Sequence, residues 1–165
     1  MIFRKAVLKD IPAITEIIGD AVSRMLHEGK CQWNENYPTA VHILDDIKNE
    51  VGYVLEDEGI VVSYGAVVFT GEPAYDALEG MWLSDCDYVV VHRLAVRQLN
   101  EGRGIGSRFL CCVERIASSK GVESFRIDTN FDNERMLRLI ERCGFEFCGT
   151  VRYPTGERQA FEKLI

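Results

Sequence analysis

Residues 87–107 are Asp-Tyr-Val-Val-Val-His-Arg-Leu-Ala-Val-Arg-Gln-Leu-Asn-Glu-Gly-Arg-Gly-Ile-Gly-Ser, and this stretch carries the strongest structural signal in the chain. Its first half is a β-branched run, which predicts a buried strand. Glycines at 102, 104 and 106 follow in a short loop, and the residues after them indicate a helix. Such a loop turns sharply and aims backbone N–H groups outward at the positive end of the helix dipole. The stretch therefore predicts a site for a phosphate or pyrophosphate.

The glycine spacing excludes two common nucleotide-binding patterns. A dinucleotide-binding loop follows G-x-G-x-x-G, but Ser107 occupies the position of the third glycine. A P-loop requires Gly-Lys followed by Ser or Thr, and the chain has no such run. What remains is a G-x-G loop, for which an ordinary helix start is an equally good interpretation when the loop is considered alone.

A second segment adds a strand, a helix and another strand. Phe125–Asn130 is strand-like, and Asp132 and Asn133 then begin a helix that ends at Gly144, a predicted left-handed C-cap. Phe145 begins the next strand. The apolar positions of this helix are Met136, Leu137, Leu139 and Ile140.

The rest of the chain has clear local signals. Asp10 is a plausible N-cap for a helix that ends at Gly29. Thr39 is a candidate cap for a second helix, with an apolar face of Val41, Leu44, Ile47 and Val51. Residues 53–56 and 60–69 predict a hairpin. Residues 70–86 form a long connection of a kind that is often functional.

Composition restricts the class of protein. The 165 residues have room for one domain with a real core, and no apolar run is long enough to span a bilayer. The first residues do not resemble a secretory signal, so we expect a cytoplasmic protein whose six cysteines are reduced thiols. Those cysteines lack zinc-like spacing, and no metal site is expected. A net charge of −7 argues against nucleic acid and membranes as main partners.

The two glycine-containing segments together resemble the motifs of the GNAT superfamily of N-acetyltransferases. The first resembles the pattern Gln/Arg-x-x-Gly-x-Gly/Ala at Gly104 and Gly106, although Glu101 replaces the usual Gln or Arg. The second resembles the family's Asn-headed helix that ends in Gly-Phe, and Met1–Asp10 matches the family's opening strand and helix. The resemblance implies an α/β (α+β) fold in a single domain over residues 1–165. Its mixed, mostly antiparallel sheet would have about seven strands, flanked by about four helices and with splayed central strands.

The resemblance also implies acetyl-CoA as co-substrate. A primary amine of the acceptor would attack the thioester directly in a ternary complex, and the strand before the glycine loop would present its backbone to pantetheine and the thioester. The residues that match the family's CoA-binding positions are Leu94, Ala95, Val96, Glu101, Gly102, Arg103, Gly104, Ile105, Gly106, Ser107 and Asn133. Arg97, Arg103 and Arg108 crowd the loop and are expected to screen phosphates locally.

Two residues compete for the role of general base. His92 matches a catalytic histidine of serotonin N-acetyltransferase, and an imidazole titrates in a suitable range. Asp128 matches a catalytic glutamate of ribosomal-protein N-terminal acetyltransferases, and its carboxylate could instead anchor the substrate ammonium. For both residues a purely structural role is an open alternative. His92 would then be a hydrogen-bonded residue of its strand, and the Asp128 carboxylate would cap a turn or pair with Arg126.

The general acid departs from the family pattern, and the acceptor is open. Ile140 occupies the position of the family's usual tyrosine, and Tyr153 and Cys143 are conceivable substitutes. The aromatic residues of the predicted loops are candidates for binding the acceptor, with core packing as the equally good alternative: Trp33, Tyr37 and Trp82.

Several functions are compatible with these observations. The leading hypothesis is acetylation of a small-molecule amine, with a homodimer as an open option for assembly. The alternatives are a protein N-terminal or lysine acetyltransferase and a catalytically weak CoA-binding sensor. A nicotinamide-dependent oxidoreductase comes last because the glycine spacing fails.

Overall fold

The computed structural model describes residues 1–165 and contains eight strands and four α-helices. The strands are β1 (Ile2–Lys5), β2 (Gly52–Asp57), β3 (Ile60–Val68), β4 (Glu79–Gly80), β5 (Tyr88–Val96), β6 (Ser124–Thr129), β7 (Glu146–Tyr153) and β8 (Gly156–Leu164). The helices are α1 (Ile11–His27), α2 (Ala40–Lys48), α3 (Ile105–Ser119) and α4 (Glu134–Arg142). Short 3-10 turns cover Leu8–Asp10, Pro73–Ala77 and Gln98–Asn100.

The strands form one mixed sheet in the order β1-β2-β3-β5-β6-β8-β7-β4. The pairs β1–β2, β2–β3, β6–β8, β7–β8 and β4–β7 are antiparallel, and β5–β6 is parallel. The predicted fold class is confirmed, with eight strands instead of about seven because Glu79–Gly80 pairs with β7.

The parallel register between β5 and β6 is short. It runs from Tyr88 opposite Ser124 to Val90 opposite Arg126. Both strands continue beyond these pairs, β5 to Val96 and β6 to Thr129. The paired part of the two strands is therefore three residues long, and the expectation of splayed central strands stays a prediction.

The chain divides into two compact units, and the first comprises residues 1–67 and 92–109. Its core is formed mainly by α1, α2 and the strands β2 and β3. The fully buried side chains at its centre are Ile14, Ile17, Ile43, Val54 and Tyr64. The helical spacing of the apolar residues of α1 places them on one face, as the sequence predicts.

The second compact unit comprises residues 68–91 and 110–165. One buried cluster joins Tyr75, Val90, Val151 and Ala160. Elsewhere the rings of Phe125 and Phe145 meet edge to face at 5.0 Å. The prediction of a single domain over residues 1–165 stays a prediction.

The apolar face predicted for α2 is partly wrong. Val41 is 65% exposed, whereas Ile43 is fully buried in the core of the first unit. The helix begins after Thr39 as predicted but ends at Lys48, so Val51 lies outside it. Ile43 and Ile47, four residues apart, form the inward stripe instead.

The helix α4 ends as predicted. Gly144 has φ of +80°, its N–H donates to the Glu141 carbonyl at 3.0 Å, and the Phe145 N–H donates to the Ile140 carbonyl at 3.2 Å. These two bonds are the Schellman arrangement at a helix C-terminus.

Two further structural findings concern the whole chain. None of its helices combines the length and the apolar composition that crossing a membrane would need. All six cysteines are free thiols.

Candidate active site

The glycine loop turns at Gly102 and Gly104 as the sequence predicts, whereas Gly106 lies within α3 instead of in the loop. Gly102 and Gly104 adopt left-handed backbone conformations with φ of +76° and +73°, and α3 begins at Ile105. A Cβ atom added at either glycine would meet no atom within 4 Å, so the space beside the loop is open. The first N–H groups of a helix have no acceptor within that helix, and the dipole favours an anion there. The loop therefore fits a phosphate group.

The charges around this loop differ from the expectation. Arg103 and Arg108 are exposed, but the Arg97 guanidinium donates to the Val61 carbonyl and to Glu16, both at 3.0 Å. The cation that meets the loop is Arg24 of α1, whose Nη1 lies 2.5 Å from the Glu101 carboxylate. Glu101, which replaces the usual Gln or Arg, is thus paired with a cation from another element. Sequence reasoning missed Arg24 because no motif includes it.

The strand β5 contains a left-handed residue directly after His92. Arg93 has φ of +56°, which is rare for a residue with a side chain and is typical of a β-bulge. The three residues after it are Leu94, Ala95 and Val96, for which the family resemblance implies backbone contacts to pantetheine and the thioester. Beyond them, the Arg97 N–H donates to the Val62 carbonyl at 2.9 Å.

The Arg93 side chain is held by a buried network within the first unit. Its Nε and Nη2 donate to the two carboxylate oxygens of Asp46 at 2.9 and 2.6 Å, and its Nη1 donates to the Tyr37 hydroxyl at 2.9 Å. The Tyr64 hydroxyl donates to Asp46 at 2.5 Å. Burial and the neighbouring Asp46 charge raise the pKa of Tyr64 well above its usual range. Burial alone would lower the pKa of Arg93, but Tyr37 and Asp46 outweigh it and raise that pKa.

The Asp128 carboxylate is nearly inaccessible, with 3% of the side chain exposed. The hydroxyls of Tyr75 and Tyr153 donate to Oδ2 at 2.8 and 2.9 Å, and Arg158 donates to Oδ1 at 3.2 Å. Burial, followed by the Asp128 charge, raises the pKa of both tyrosines, so both hydroxyls stay protonated donors. The pairing of Asp128 with Arg126, considered from the sequence, is replaced by this set. Tyr75 and Arg158 carried no local sequence signal.

The other predicted proton-transfer residues are placed as follows. His92 is half-buried on β5 in the first unit, whereas Asp128 belongs to the second unit. Ile140 is fully buried and packs in the interior. The Tyr153 hydroxyl donates its hydrogen to Asp128. Cys143 is half-buried at the end of α4.

Asn133 is the N-cap of α4, and its side-chain oxygen accepts from the Met136 N–H at 3.3 Å. This capping contact fixes the carboxamide at the head of the helix. If Asn133 contacts CoA, it does so with a side chain that the helix has already oriented.

The three candidate acceptor aromatics fall into different settings. Trp33 is 6% exposed and packs in the core of the first unit, which leaves little ring surface for a ligand. Tyr37 is half-buried, with its hydroxyl on Arg93 and its ring edge to face with His42 at 4.9 Å. Trp82 belongs to the second unit, where its Nε1 donates to the Tyr75 carbonyl at 3.3 Å and its ring lies 4.2 Å from the Arg126 guanidinium. The structure thus places Trp33 and Tyr37 in one compact unit and Trp82 in the other.

The side chains that could ligate a metal ion are dispersed in this structure. No group of three or more His, Cys, Asp or Glu side chains is arranged to hold a metal ion.

Comparisons with known proteins indicate a single family. The acetyltransferase (GNAT) family matches residues 20–145. Aminoglycoside N(6')-acetyltransferase type 1 from Klebsiella pneumoniae is 31% identical over 114 residues, a match that covers 58% of this chain and 57% of that relative. The chain thus spans little more than half the length of this curated relative.

Solved structures show the same fold over nearly the whole chain. A GNAT-family acetyltransferase from Streptococcus agalactiae 2603 superposes with a TM-score of 0.90 and 32% identity, covering 99% of this chain and 95% of that one. A ribosomal-protein-alanine N-acetyltransferase from Brucella melitensis has a TM-score of 0.73 at 22% identity and covers the full length of both chains. The family match covers 126 of the 165 residues (20–145) and includes the glycine loop and the left-handed residue on β5. The chain therefore belongs to the GNAT acetyltransferase family.

Proposed function

We propose that this protein transfers an acetyl group from acetyl-CoA to a primary amine of a small molecule. The observation that carries the proposal is the succession, within one compact unit, of the left-handed residue Arg93, the short segment 94–96 and the open glycine loop. This succession presents backbone N–H groups first to a thioester and then to a pyrophosphate. GNAT acetyltransferases use acetyl-CoA, and the residues present fit that co-substrate.

The backbone of the loop and of the first turn of α3 would hold the pyrophosphate. The left-handed glycines aim N–H groups outward, and the helix dipole adds a favourable field. The Arg24–Glu101 ion pair neutralises the one carboxylate of the loop, which would otherwise repel the phosphates.

The backbone of Leu94, Ala95 and Val96 would stabilise the negative charge that develops on the thioester oxygen. Preorganised N–H donors of this kind supply much of the rate enhancement in acyl transfer. The amine nitrogen forms a bond to the carbonyl carbon, the carbon–sulfur bond breaks, and CoA leaves as the thiolate. The proton that the nitrogen loses as the amide forms passes to this thiolate, directly or through water. A thiol pKa near 8.5 makes that thiolate an acceptable leaving group without a dedicated acid.

His92 is the better candidate for the base that takes the proton of the acceptor ammonium. The three donors on Asp128 use most of that carboxylate's accepting capacity, which suits a residue that orients Tyr75, Tyr153 and Arg158. His92 directly precedes the left-handed residue of β5 and is half-buried.

The choice of a small-molecule acceptor is supported by the curated relatives. These relatives are named as aminoglycoside N-acetyltransferases, which act on amines of small molecules. The net charge of −7 also suits a cationic acceptor. A cytoplasmic location stays a prediction.

The test is thiol release from acetyl-CoA with a panel of aminoglycosides, small aromatic and aliphatic amines, amino acids and short peptides. We expect turnover with one class of small amine. His92→Ala is expected to lower kcat at least about 100-fold, the usual range for loss of a general base, and Asp128→Asn less than about tenfold. His27→Ala, at the exposed end of α1, and Asp85→Asn, in an exposed loop, are matched controls.

Each other outcome has a defined meaning. Turnover with peptides alone would replace the small-molecule acceptor by a protein. CoA binding without turnover would favour a sensor. A chain that does not bind CoA would overturn the proposal.

A further inference from the structure

We propose that Arg93 is a positioning residue whose buried anchor fixes the backbone that presents the acyl-binding N–H groups. The inference rests on the proposed function, because it assigns the N–H groups of residues 94–96 to the thioester. It adds a side-chain network that no sequence motif contains. The network is made of Arg93, Asp46, Tyr37 and Tyr64.

The first argument is the backbone conformation of Arg93. A φ of +56° is uncommon for a residue with a Cβ atom, and such conformations persist only where the surroundings determine them. An arginine at this position is therefore held by its side chain. A glycine would adopt the same conformation without strain.

The second argument is how completely the guanidinium is fixed. Each of its three nitrogens donates a hydrogen bond, two to Asp46 and one to Tyr37. Asp46 in turn accepts from Tyr64, and 8% of its side chain is exposed. The planar, bidentate fork of arginine sets direction as well as charge, which a lysine ammonium cannot reproduce.

The third argument is that the charges of the network already compensate each other. The Arg93 charge is compensated by Asp46, and the Asp46 oxygens already accept three hydrogen bonds. Arg93 therefore does not act on the acceptor or on CoA by its charge. What it controls is the direction of the chain immediately after it.

The network also links two parts of the first unit that are far apart in the sequence, namely the loop between α1 and α2 and the strand β5. Tyr37, one of the candidates for binding the acceptor, lies in the loop between α1 and α2, whereas Arg93 lies on β5. One guanidinium thus holds the loop and the strand together. A change at Tyr37 is expected to alter the rate of acetyl transfer and leave the pyrophosphate contacts intact.

The experiment compares Arg93→Lys, Arg93→Ala, Arg93→Gly and Tyr37→Phe. Three sets of quantities are measured for each variant: the steady-state constants kcat and KM with acetyl-CoA, the Kd for CoA by calorimetry, and the hydrogen-exchange rates of the amides at 94–97 in the free protein. Arg4→Lys is the matched control, because Arg4 also donates to both oxygens of a buried aspartate, Asp10, in the same unit. Tyr53→Phe is the control for Tyr37→Phe, because it removes the hydroxyl of a tyrosine whose ring stacks on Phe3 and which lies outside the network.

We expect Arg93→Lys and Arg93→Ala to lower kcat by about 10- to 100-fold, since a small misplacement of a catalytic group can cost that much. The Kd for CoA should stay within about threefold, and the amides at 94–97 should exchange about tenfold faster, as for a local opening. Arg93→Gly should recover at least about tenfold of the kcat lost in Arg93→Ala, because glycine tolerates the left-handed conformation. Tyr37→Phe should show the same changes in a weaker form, and Arg4→Lys should leave all three quantities unchanged.

Two results would overturn the inference. The first is unchanged exchange at 94–97 in the Arg93 variants, and the second is equal loss of kcat in Arg93→Ala and Arg93→Gly, which would indicate direct contact with a substrate. Wild-type protein without turnover would count against the proposed function alone. Faster exchange at 94–97 in the Arg93 variants would still support the anchor.

Discussion

At the scale of single residues, buried carboxylates are the most demanding feature of this chain. The side chains of Asp46, Asp128 and Glu162 are each nearly inaccessible, and each carboxylate accepts at least three hydrogen bonds. A buried carboxylate without partners is strongly unfavourable, so each set of donors is a requirement of folding. The donors and acceptors are brought together from distant parts of the chain, as in the pair Ser84–Glu162, which is 78 positions apart.

Glu162 of β8 shows how such a group stays charged. It is fully buried, and it accepts from the hydroxyls of Ser84 and Ser124 at 2.7 and 2.5 Å and from Arg126 at 3.3 Å. Burial alone would raise the pKa of Glu162, but the two hydroxyl bonds and the Arg126 charge outweigh it. The net effect is a pKa below its usual range.

This lowered pKa predicts a specific loss of stability in acid. A group with a lower pKa in the folded state stabilises it above its unfolded pKa, about 4.3 for glutamate. That contribution is lost as the pH falls through the folded pKa. Glu162→Gln should therefore cost about 3 kcal/mol at pH 7, because it leaves Arg126 buried without its partner. It should also flatten the decline in stability as the pH falls below about 5.

Urea denaturation across this pH range measures the effect of Glu162→Gln. Glu134→Gln, an exposed glutamate on α4, is the control and should change stability by less than about 0.5 kcal/mol. Parallel stability curves for wild type and Glu162→Gln would contradict the assignment.

At the scale of elements, the short strand β4 is the main addition to what the sequence predicts. Residues 70–86 are a long connection in sequence, yet Glu79–Gly80 pairs with Gly149 and Thr150 of β7. The two backbones approach so closely that a Cβ atom at Gly80 would overlap the Cys148 carbonyl, and one at Gly149 would overlap the Glu79 carbonyl. The close approach of two glycines therefore decides whether this strand forms.

Substitution of Gly149 tests this close approach. Gly149→Ala should lower the free energy of unfolding by about 1–3 kcal/mol, because the added methyl group forces β4 away from β7. Gly19→Ala is the opposite case, since Gly19 lies within α1 with nothing within 4 Å of an added Cβ. It should stabilise the protein by about 0.5–1 kcal/mol through the higher helix propensity of alanine. Equal effects at the two positions, measured by thermal and urea unfolding, would contradict the close-approach argument.

At the scale of the whole molecule, ligand binding and stability are linked. A ligand that binds the folded chain alone stabilises it by RT ln(1 + [L]/Kd), about 2.7 kcal/mol at a hundred times Kd. For a chain of this size, about 1 kcal/mol corresponds to roughly 2–4 °C in melting temperature. CoA at that concentration should therefore raise the melting temperature by about 5–10 °C. NAD at the same concentration should not raise it, and a comparable shift with NAD would reopen the dinucleotide interpretation.

The sequence alone was sufficient for the fold class and for the features that depend on near neighbours in the chain. The glycine loop before α3, the cap at Gly144 and the helix that follows Asp10 are each set by residues a few positions apart. The arrangement of two such motifs in order was enough to indicate the family. Periodicity was less informative for the nine-residue α2, because so short a helix allows more than one inward face.

The tertiary structure decided the contacts on which the chemistry depends. Arg93 adopts a left-handed conformation that contradicts its own backbone preference, and its side chain is held by Asp46, which lies 47 positions away. Two other contacts also join residues that are far apart in the sequence: Arg24 with Glu101, and Tyr75 and Tyr153 with Asp128. Local propensity carries no information about such partners, because they are selected by the burial of charge and by packing when distant segments of the chain meet.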